Sequence, residues 1–331
     1  MTPSTFPALL QRFFTDRLRA QLGASPHTVA SYRDTFRLLL AFAAQRLGRP
    51  PSRIRLEDLD VSLLASFLDH VEQKRGNGAT TRNVRLAALR AFFRHVAFTE
   101  PAYAHQCQRI LAIPTKRHQR RLVEFLTEDE AKALLAAPDL KTWLGRRDRA
   151  LLLLAVHTGL RNSEIRSLRL RDVQLGTGPH VRCTGKGRKM RCTPLHRDVA
   201  APLQAWLSER GGGPDDHVFP SSRGTTLSAD ALQRLVARHV RTASGACTAL
   251  VGRRITPHTL RHTTAMSLLH GGVDRTVIAL WLGHESAETT QIYIHADMRL
   301  KERALAHATT PATPSPRFKP TDRLLAFLDA L

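Results

Sequence analysis

The sequence predicts a mainly α-helical protein of two domains carrying one small β-hairpin or sheet. Three observations predict it. Apolar residues recur at three- and four-residue spacing through most of the chain, the pattern of helices with one buried face. The only clear β signal lies within residues 181–195. A short basic stretch, residues 113–121, divides a chain whose 331 residues suffice for two cores.

In the front part, Ser25-Pro26 is a helix start, serine capping and proline at the first helical position. Val29, Tyr32, Phe36, Leu39, Leu40 and Ala43 then repeat at helical spacing as far as the Gly48-Arg49-Pro50-Pro51 break. A second helix is expected over about 61–75, stopping at Gly76-Asn77-Gly78. A third from Thr80 or Thr81 turns Val84, Leu86, Leu89, Phe92, Phe93 and Val96 inward and leaves Arg82, Arg85 and Arg94 outside. A short helix over about 101–110 closes the domain. Arg33, Lys74, Arg82 and Arg85 are expected to form a face that tracks phosphates. Lys116, Arg117, His118, Arg120 and Arg121 follow with no acid among them, the composition of an extended linker along a polyanion.

In the back part, Thr127 and Glu130 form a capping box. The next helix, about 145–158, is nearly all apolar from Ala150 and is expected at the centre of its domain. It ends at Thr158-Gly159-Leu160, which puts Arg161 at a helix-to-helix corner with Glu164 one turn on to orient it. Two short strands flank Gly185-Lys186-Gly187-Arg188, a turn that can deliver an ammonium. Helices over about 197–209 and 228–242 are separated by a Gly/Pro/Ser-rich loop. Thr256-Pro257 opens a helix bearing His258 and Arg261 on one face, with His262 pointing elsewhere as a structural residue. Asp274 caps 275–282, whose Val277, Ile278 and Trp281 are expected in the core. Gly283 ends that helix, so His284 emerges at its terminus. Ser286 caps another helix, with Tyr293 on its second turn. A helix over 298–307 is expected to run out into a tether over residues 309–316. Residues 322–331 read as a short amphipathic helix that must dock to persist, since ten residues alone do not hold a helix in water.

Fifty Lys+Arg oppose 28 Asp+Glu, a formal net charge of +22. The excess is spread: residues 1–112 carry 16 basic and 8 acidic residues (+8), residues 113–331 carry 34 and 20 (+14). A long polyanion touching both parts explains that better than an acidic protein or a membrane surface. The apolar run 150–156 falls well short of the roughly 20 residues a membrane helix needs. The N-terminus lacks a basic segment followed by a long apolar one, so a signal peptide is not expected and the cytoplasm is. The four cysteines form no CxxC pair, which argues against zinc; Cys183 and Cys192 are expected to face each other across the hairpin as free thiols.

One of only three tyrosines, Tyr293, follows a set of cationic residues in the order Arg161, Lys186, His258, Arg261, His284. Each has a plain structural reading when taken alone. Together, with no carboxylate pair and no Gly-rich nucleotide loop, they suit attack of a tyrosine on a phosphodiester whose charge the cations hold. TGLRNSEI, GKGRK, HTLRH and LGHESAETTQIYIH resemble the motifs of the tyrosine recombinases, or phage integrase family, and the likeness covers about residues 123–307. The resemblance implies a helical core-binding domain over 1–112, a linker over 113–123, a catalytic domain over 124–308, and a tether with docking helix over 309–331. It implies catalysis by Tyr293, Arg161, Lys186, His258, Arg261 and His284, with the cations and a basic His258 helping Tyr293 lose its proton, Lys186 as general acid, His284 bonding the scissile phosphate, Glu164 holding the geometry and no metal or cofactor. Its implied partners are double-stranded DNA with paired recombination half-sites, contacted through Arg33, Lys74, Arg82, Arg85, Lys116 and Arg117, and further copies of the chain. Those copies form a dimer on a site and a tetramer in synapsis, joined by the helix at 322–331. Site-specific recombination for integration, excision or transposition of a mobile element follows. The alternatives are strand relaxation like that of a type IB topoisomerase, and a non-catalytic DNA-binding accessory protein.

Overall fold

The structure, a computed structural model, describes residues 5–73, 76, 78–117, 123–185, 190–283 and 293. Two compact units divide the chain, Met1–Arg120 and Arg121–Leu331.

The first unit is helical. Its principal helices are α1 (Phe6–Arg12), α2 (Pro26–Leu47), α3 (Val61–Gln73), α4 (Ala79–Thr99) and α5 (Ala104–Leu111). Ser25 caps α2 by accepting from the Thr28 amide at 3.1 Å, as its sequence predicts, and Gly48 ends it in the left-handed region at φ 64°. The core is aromatic. Phe92 meets Phe6, Phe13, Phe36 and Phe93 edge-on, with ring centroids 5.2–5.9 Å apart. The sequence reading began at Ser25 and missed the segment that supplies two of those rings. A π-helical stretch, Phe13–Gln21, follows α1 directly and buries Phe13 and Leu18. Its i→i+5 bonding spaces these five apart and breaks the 3.6-residue count.

Three expectations for α4 are corrected. Val84 is 45% exposed rather than inward. Arg82 is buried, its guanidinium donating to the Pro114 carbonyl at 3.3 Å and lying 3.8 Å from Glu72. Arg85 is half-buried and donates to the Ser31 carbonyl and Thr35 Oγ1, both at 3.1 Å. These two arginines stitch α4 to α2 and to the stretch after α5. The long aliphatic stem of arginine tolerates such burial, and the terminal nitrogens find oxygen acceptors although the Nε of each finds none among the described residues.

The second unit is built around α7 (Trp143–Thr158), which packs against α9 (Arg197–Arg210), α11 (Pro257–His270) and α6 (Glu128–Ala136). Residues 150–155 of α7 are all buried. The capping box at Thr127 and Glu130 forms as predicted. Asp148 on α7 is fully buried. It accepts from Arg147, from Arg238 at 2.6 Å and from His239 at 2.8 Å on α10 (Ala229–Ala243), while Arg147 also donates to the Pro220 carbonyl at 2.7 Å. This cluster fixes the 211–226 loop and α10 to the central helix. Between α8 (Asn162–Ser167) and α9 lies a three-stranded antiparallel sheet in the order β1 (Val173–Gln174), β2 (His180–Thr184), β3 (Met190–Pro194). The first strand is too short to show in the sequence. Cys183 pairs with Arg191 and Arg182 with Cys192, so the two cysteines are one register step apart and do not face each other. Cys183 is buried and Cys192 exposed.

The last described helix, α12 (Arg275–Leu282), is capped by Asp274 and ended by Gly283 as predicted, but Val277 is 48% exposed and Trp281 only half-buried. The predicted turn tip at 186–189, the helix after Ser286 apart from Tyr293, the helix at 298–307, the tether at 309–316 and the helix at 322–331 lie outside the described residues. No described helix is long and apolar enough to cross a membrane.

Candidate active site

Two helix ends create the site. α7 stops at Gly159 (φ 63°) and α12 at Gly283 (φ 65°), both left-handed, where glycine is the residue without a steric penalty. Neither position has room for more. A Cβ on Gly159 would lie 2.6 Å from Leu282 Cδ2, and one on Gly283 would lie 2.9 Å from Arg191 Nη1. The carbonyls left over at these ends become anchors for arginines.

Arg261, on α11, is 3% exposed and donates from Nη1 to the Gly159 carbonyl at 2.6 Å and from Nη2 to the Leu282 carbonyl at 2.7 Å. Burial, aided by the charge of Arg161, brings its pKa down to about 10, which leaves it cationic at neutral pH. Arg161, at the N-cap of α8, donates from Nη2 to the Gly283 carbonyl at 2.7 Å and from Nη1 to Glu164 Oε1 at 2.9 Å. Each guanidinium carries five N–H donors, so both keep donors beyond these tethers.

Glu164 is the hub. Its carboxylate accepts the Arg161 amide at 2.7 Å and a bidentate pair from Arg191, at 2.8 and 2.7 Å. Burial alone raises its pKa, but the bonds and charges of Arg191 and Arg161 outweigh that and hold it at about 2. Arg191, on β3, also donates to the Trp281 carbonyl at 3.2 Å. It therefore ties the sheet, α8 and the end of α12 together. Sequence reasoning missed Arg191. No local signal marked it, since its partner Glu164 lies 27 residues away in the chain.

His258 lies at the surface near the start of α11. Desolvation by its neighbours, then the charges of Arg261 and Arg161, push its pKa below 6.5, favouring the neutral ring. Its ring meets His262 edge-on, centroids 4.3 Å apart. The expectation that His262 points elsewhere is wrong. His262 Nδ1 lies 3.0 Å from Tyr293 Oη, with ring centroids 5.5 Å apart. The i, i+4 relation of His258 and His262 on one helix was the missed signal.

Tyr293 is 2% exposed and sits among Ala265, Met266, Ile278 and Leu282. Burial raises its pKa, while Arg261 and Arg161 pull it back. The structure thus brings together Arg161, Glu164, His258, Arg261 and Tyr293. Lys186 and His284 lie outside the described residues, although Gly185 is packed beside Arg191, Glu164 and Arg161. Among the described residues no group of three or more His, Cys, Asp or Glu is placed to hold a metal.

Of the basic residues expected on DNA, Arg33 is exposed and pairs with its neighbour Asp34 at 3.0 Å. Arg117 is exposed, and the Lys116 ammonium meets Glu72 at 2.7 Å. Arg82 and Arg85 are tied into the framework as described above, and Lys74 lies outside the described residues.

The second unit thus gathers two tethered arginines, a buried carboxylate and a histidine-bound tyrosine in one place. Residues 124–299 match the phage integrase family and residues 10–97 match its N-terminal SAM-like domain. The chain is 53% identical over 323 residues to the putative integrase/recombinase y4rC of Sinorhizobium fredii, covering 98% of this chain and 97% of that one. It is 34% identical over 305 residues to the tyrosine recombinase XerC of Pelobacter propionicus, covering 91% and 96%. Its fold is similar to that of the XerH site-specific recombinase in a post-cleavage complex on palindromic difH substrate, at TM-score 0.70 and 24% identity over 86% of this chain and 80% of that one. The chain belongs to the phage integrase family, the tyrosine recombinases.

Proposed function

We propose that the protein cleaves and rejoins DNA at specific sites through a 3′-phosphotyrosyl intermediate and a Holliday junction, serving integration, excision or transposition of a mobile element. The observation that carries this is Tyr293, whose phenol lies against His262 within the electrostatic reach of Arg261 and Arg161. In-line attack gathers charge on the non-bridging oxygens, and two guanidiniums tethered beforehand stabilise it more than the ground state. Glu164 and Arg191 keep Arg161 aimed. His258, kept neutral beside Arg261 and Arg161, is able to accept a proton, His284 serves as a hydrogen-bond partner of the scissile phosphate, and Lys186 protonates the leaving 5′-oxygen; for Lys186 and His284 the support is the family motif alone. The phosphotyrosine bond conserves the energy of the broken ester, so religation by a 5′-hydroxyl requires no external energy source.

The substrate reading is supported by the net charge of +22 and by relatives solved on DNA, among them a lambda integrase tetramer bound to a Holliday junction. On it, DNA is met through Arg33, Lys74, Lys116 and Arg117, in the cytoplasm, by a chain divided as residues 1–112 and 124–308. Tetramer assembly through residues 322–331 is part of the same proposal. A hollow of about 900 Å3 in the second unit, lined by Phe125, Leu135, Val156 and Met266 but also by Glu128, Lys132 and Asp198, is a candidate acceptor for that helix. Incubation with a nicked duplex should trap a covalent protein–DNA adduct that survives denaturing electrophoresis and vanishes in Tyr293→Phe. An adduct that persists in Tyr293→Phe sinks the assignment. With two duplexes, cross-joined products mark a recombinase, and relaxation alone marks a topoisomerase.

A further inference from the structure

We propose that His262, in place of the His258 that the family motif suggests, is the group that takes the proton from Tyr293 as the tyrosine attacks, and that returns it on religation. The inference rests on the strand-transfer reading above and adds a residue to it. A phenol with an ordinary pKa near 10 must lose its proton to become a useful nucleophile at neutral pH. Tyr293 is 2% exposed, which leaves its side chain little contact with bulk water. Arg261 and Arg161 can stabilise the phenolate but remain protonated and accept nothing. His258 reaches the surface beside them, and its ring contact is with His262. His262 Nδ1, at 3.0 Å, is already at the distance a general base needs.

The step balances without a co-reactant. With His262 in its Nε2–H tautomer, the Nδ1 lone pair accepts the phenolic hydrogen. The O–H bond breaks, an N–H bond forms, and an imidazolium remains beside the site. The phenolate oxygen bonds to phosphorus as the bond from phosphorus to the 5′-oxygen breaks, and that oxygen takes its proton from a separate acid. In the reverse direction the 5′-hydroxyl attacks, the tyrosine leaves, and His262 hands its proton back.

The test uses the full chain and a nicked duplex selected from random sequence by covalent capture on the wild-type protein. His262→Asn can still bond the phenol but holds no proton at neutral pH; His262→Ala removes the ring. Both should lower the first-order rate of adduct formation about 100-fold or more, with duplex affinity within about threefold of wild type. Added imidazole should restore part of the rate to His262→Ala. Replacing the scissile 5′-oxygen by sulfur, whose thiolate leaves without an acid, should restore neither variant. Wild-type speed in His262→Asn would reduce His262 to a positioning role and overturn the proposal. So would rescue by the sulfur substrate, which marks an acid, or faster cleavage than wild type, which marks a restraint on the tyrosine. If the wild-type protein captures no duplex at all, the strand-transfer reading itself has failed and this inference falls with it.

Discussion

Replacing Glu164 by glutamine removes one negative charge from a buried corner and leaves two guanidiniums facing each other. Glu164 is 3% exposed and receives four hydrogen bonds, from the Arg161 amide, Arg161 Nη1 and both terminal nitrogens of Arg191. A carboxyl held at about 2 instead of 4.5 corresponds to roughly 3 kcal/mol favouring its charged form. That agrees with the ~3–5 kcal/mol lost when one member of a buried ion pair is removed. The sign follows from the depressed pKa: the stabilisation is complete above about 4.5 and is lost as pH falls toward about 2. Glu164→Gln should therefore cost roughly 3 kcal/mol at pH 7, lowering the melting temperature of the second unit by about 6–12 °C. The gap between wild type and variant should narrow by about 1 kcal/mol at pH 4. Urea unfolding of the full chain at both pH values, followed on the second unit's transition, measures it. A loss under about 1 kcal/mol at pH 7, or a gap that ignores pH, would refute the view that Glu164 is the electrostatic hub.

Arg261→Lys keeps the charge but offers a point ammonium where two carbonyls are bridged by a fork, so adduct formation should slow about 100- to 1,000-fold with DNA affinity retained; a loss under about tenfold would remove Arg261 from the chemistry. Arg33→Ala should lower the slope of log affinity against log salt by about 1, whereas Arg82→Ala should leave that slope unchanged and destabilise the first unit by about 1–3 kcal/mol. The opposite pattern in gel shifts and melts would restore Arg82 as a phosphate contact. Deleting residues 310–331 should weaken multi-protomer complexes on DNA more than binding of one protomer to one site, and unchanged stoichiometry in gel shifts would rule out trans docking.

The sequence displayed the parts of this fold that depend on local chemistry. Ser25, Thr127 and Asp274 cap the helices they were expected to cap, and Gly159 and Gly283 end theirs, because capping is settled within four or five residues. Where neighbours distant in the chain decide, the reading failed. Nothing within α4 says that Arg82 finds Pro114 and Glu72 while Val84 faces water. Arg191 was invisible because its role depends on register, which sets it opposite Cys183 and above Glu164. The ordered motif set singled out Arg161, Arg261 and Tyr293 in the sequence, and the fold brings the three together. The bond from His262 to that tyrosine required coordinates, since it spans 31 residues.

The arginine tethers have a consequence for how such a site is dissected. Arg161 and Arg261 are held by the carbonyls of Gly159, Leu282 and Gly283, groups that no side-chain replacement deletes. An alanine scan would therefore score Gly159 and Gly283 for what a new methyl group collides with and Leu282 for the packing it loses, and would miss the acceptor at all three. Exchanging a single peptide bond for an ester, which weakens one carbonyl as an acceptor, addresses the anchors themselves. On that view the scaffold's contribution to the chemistry is written in the main chain, and mutational maps of the site will underestimate it.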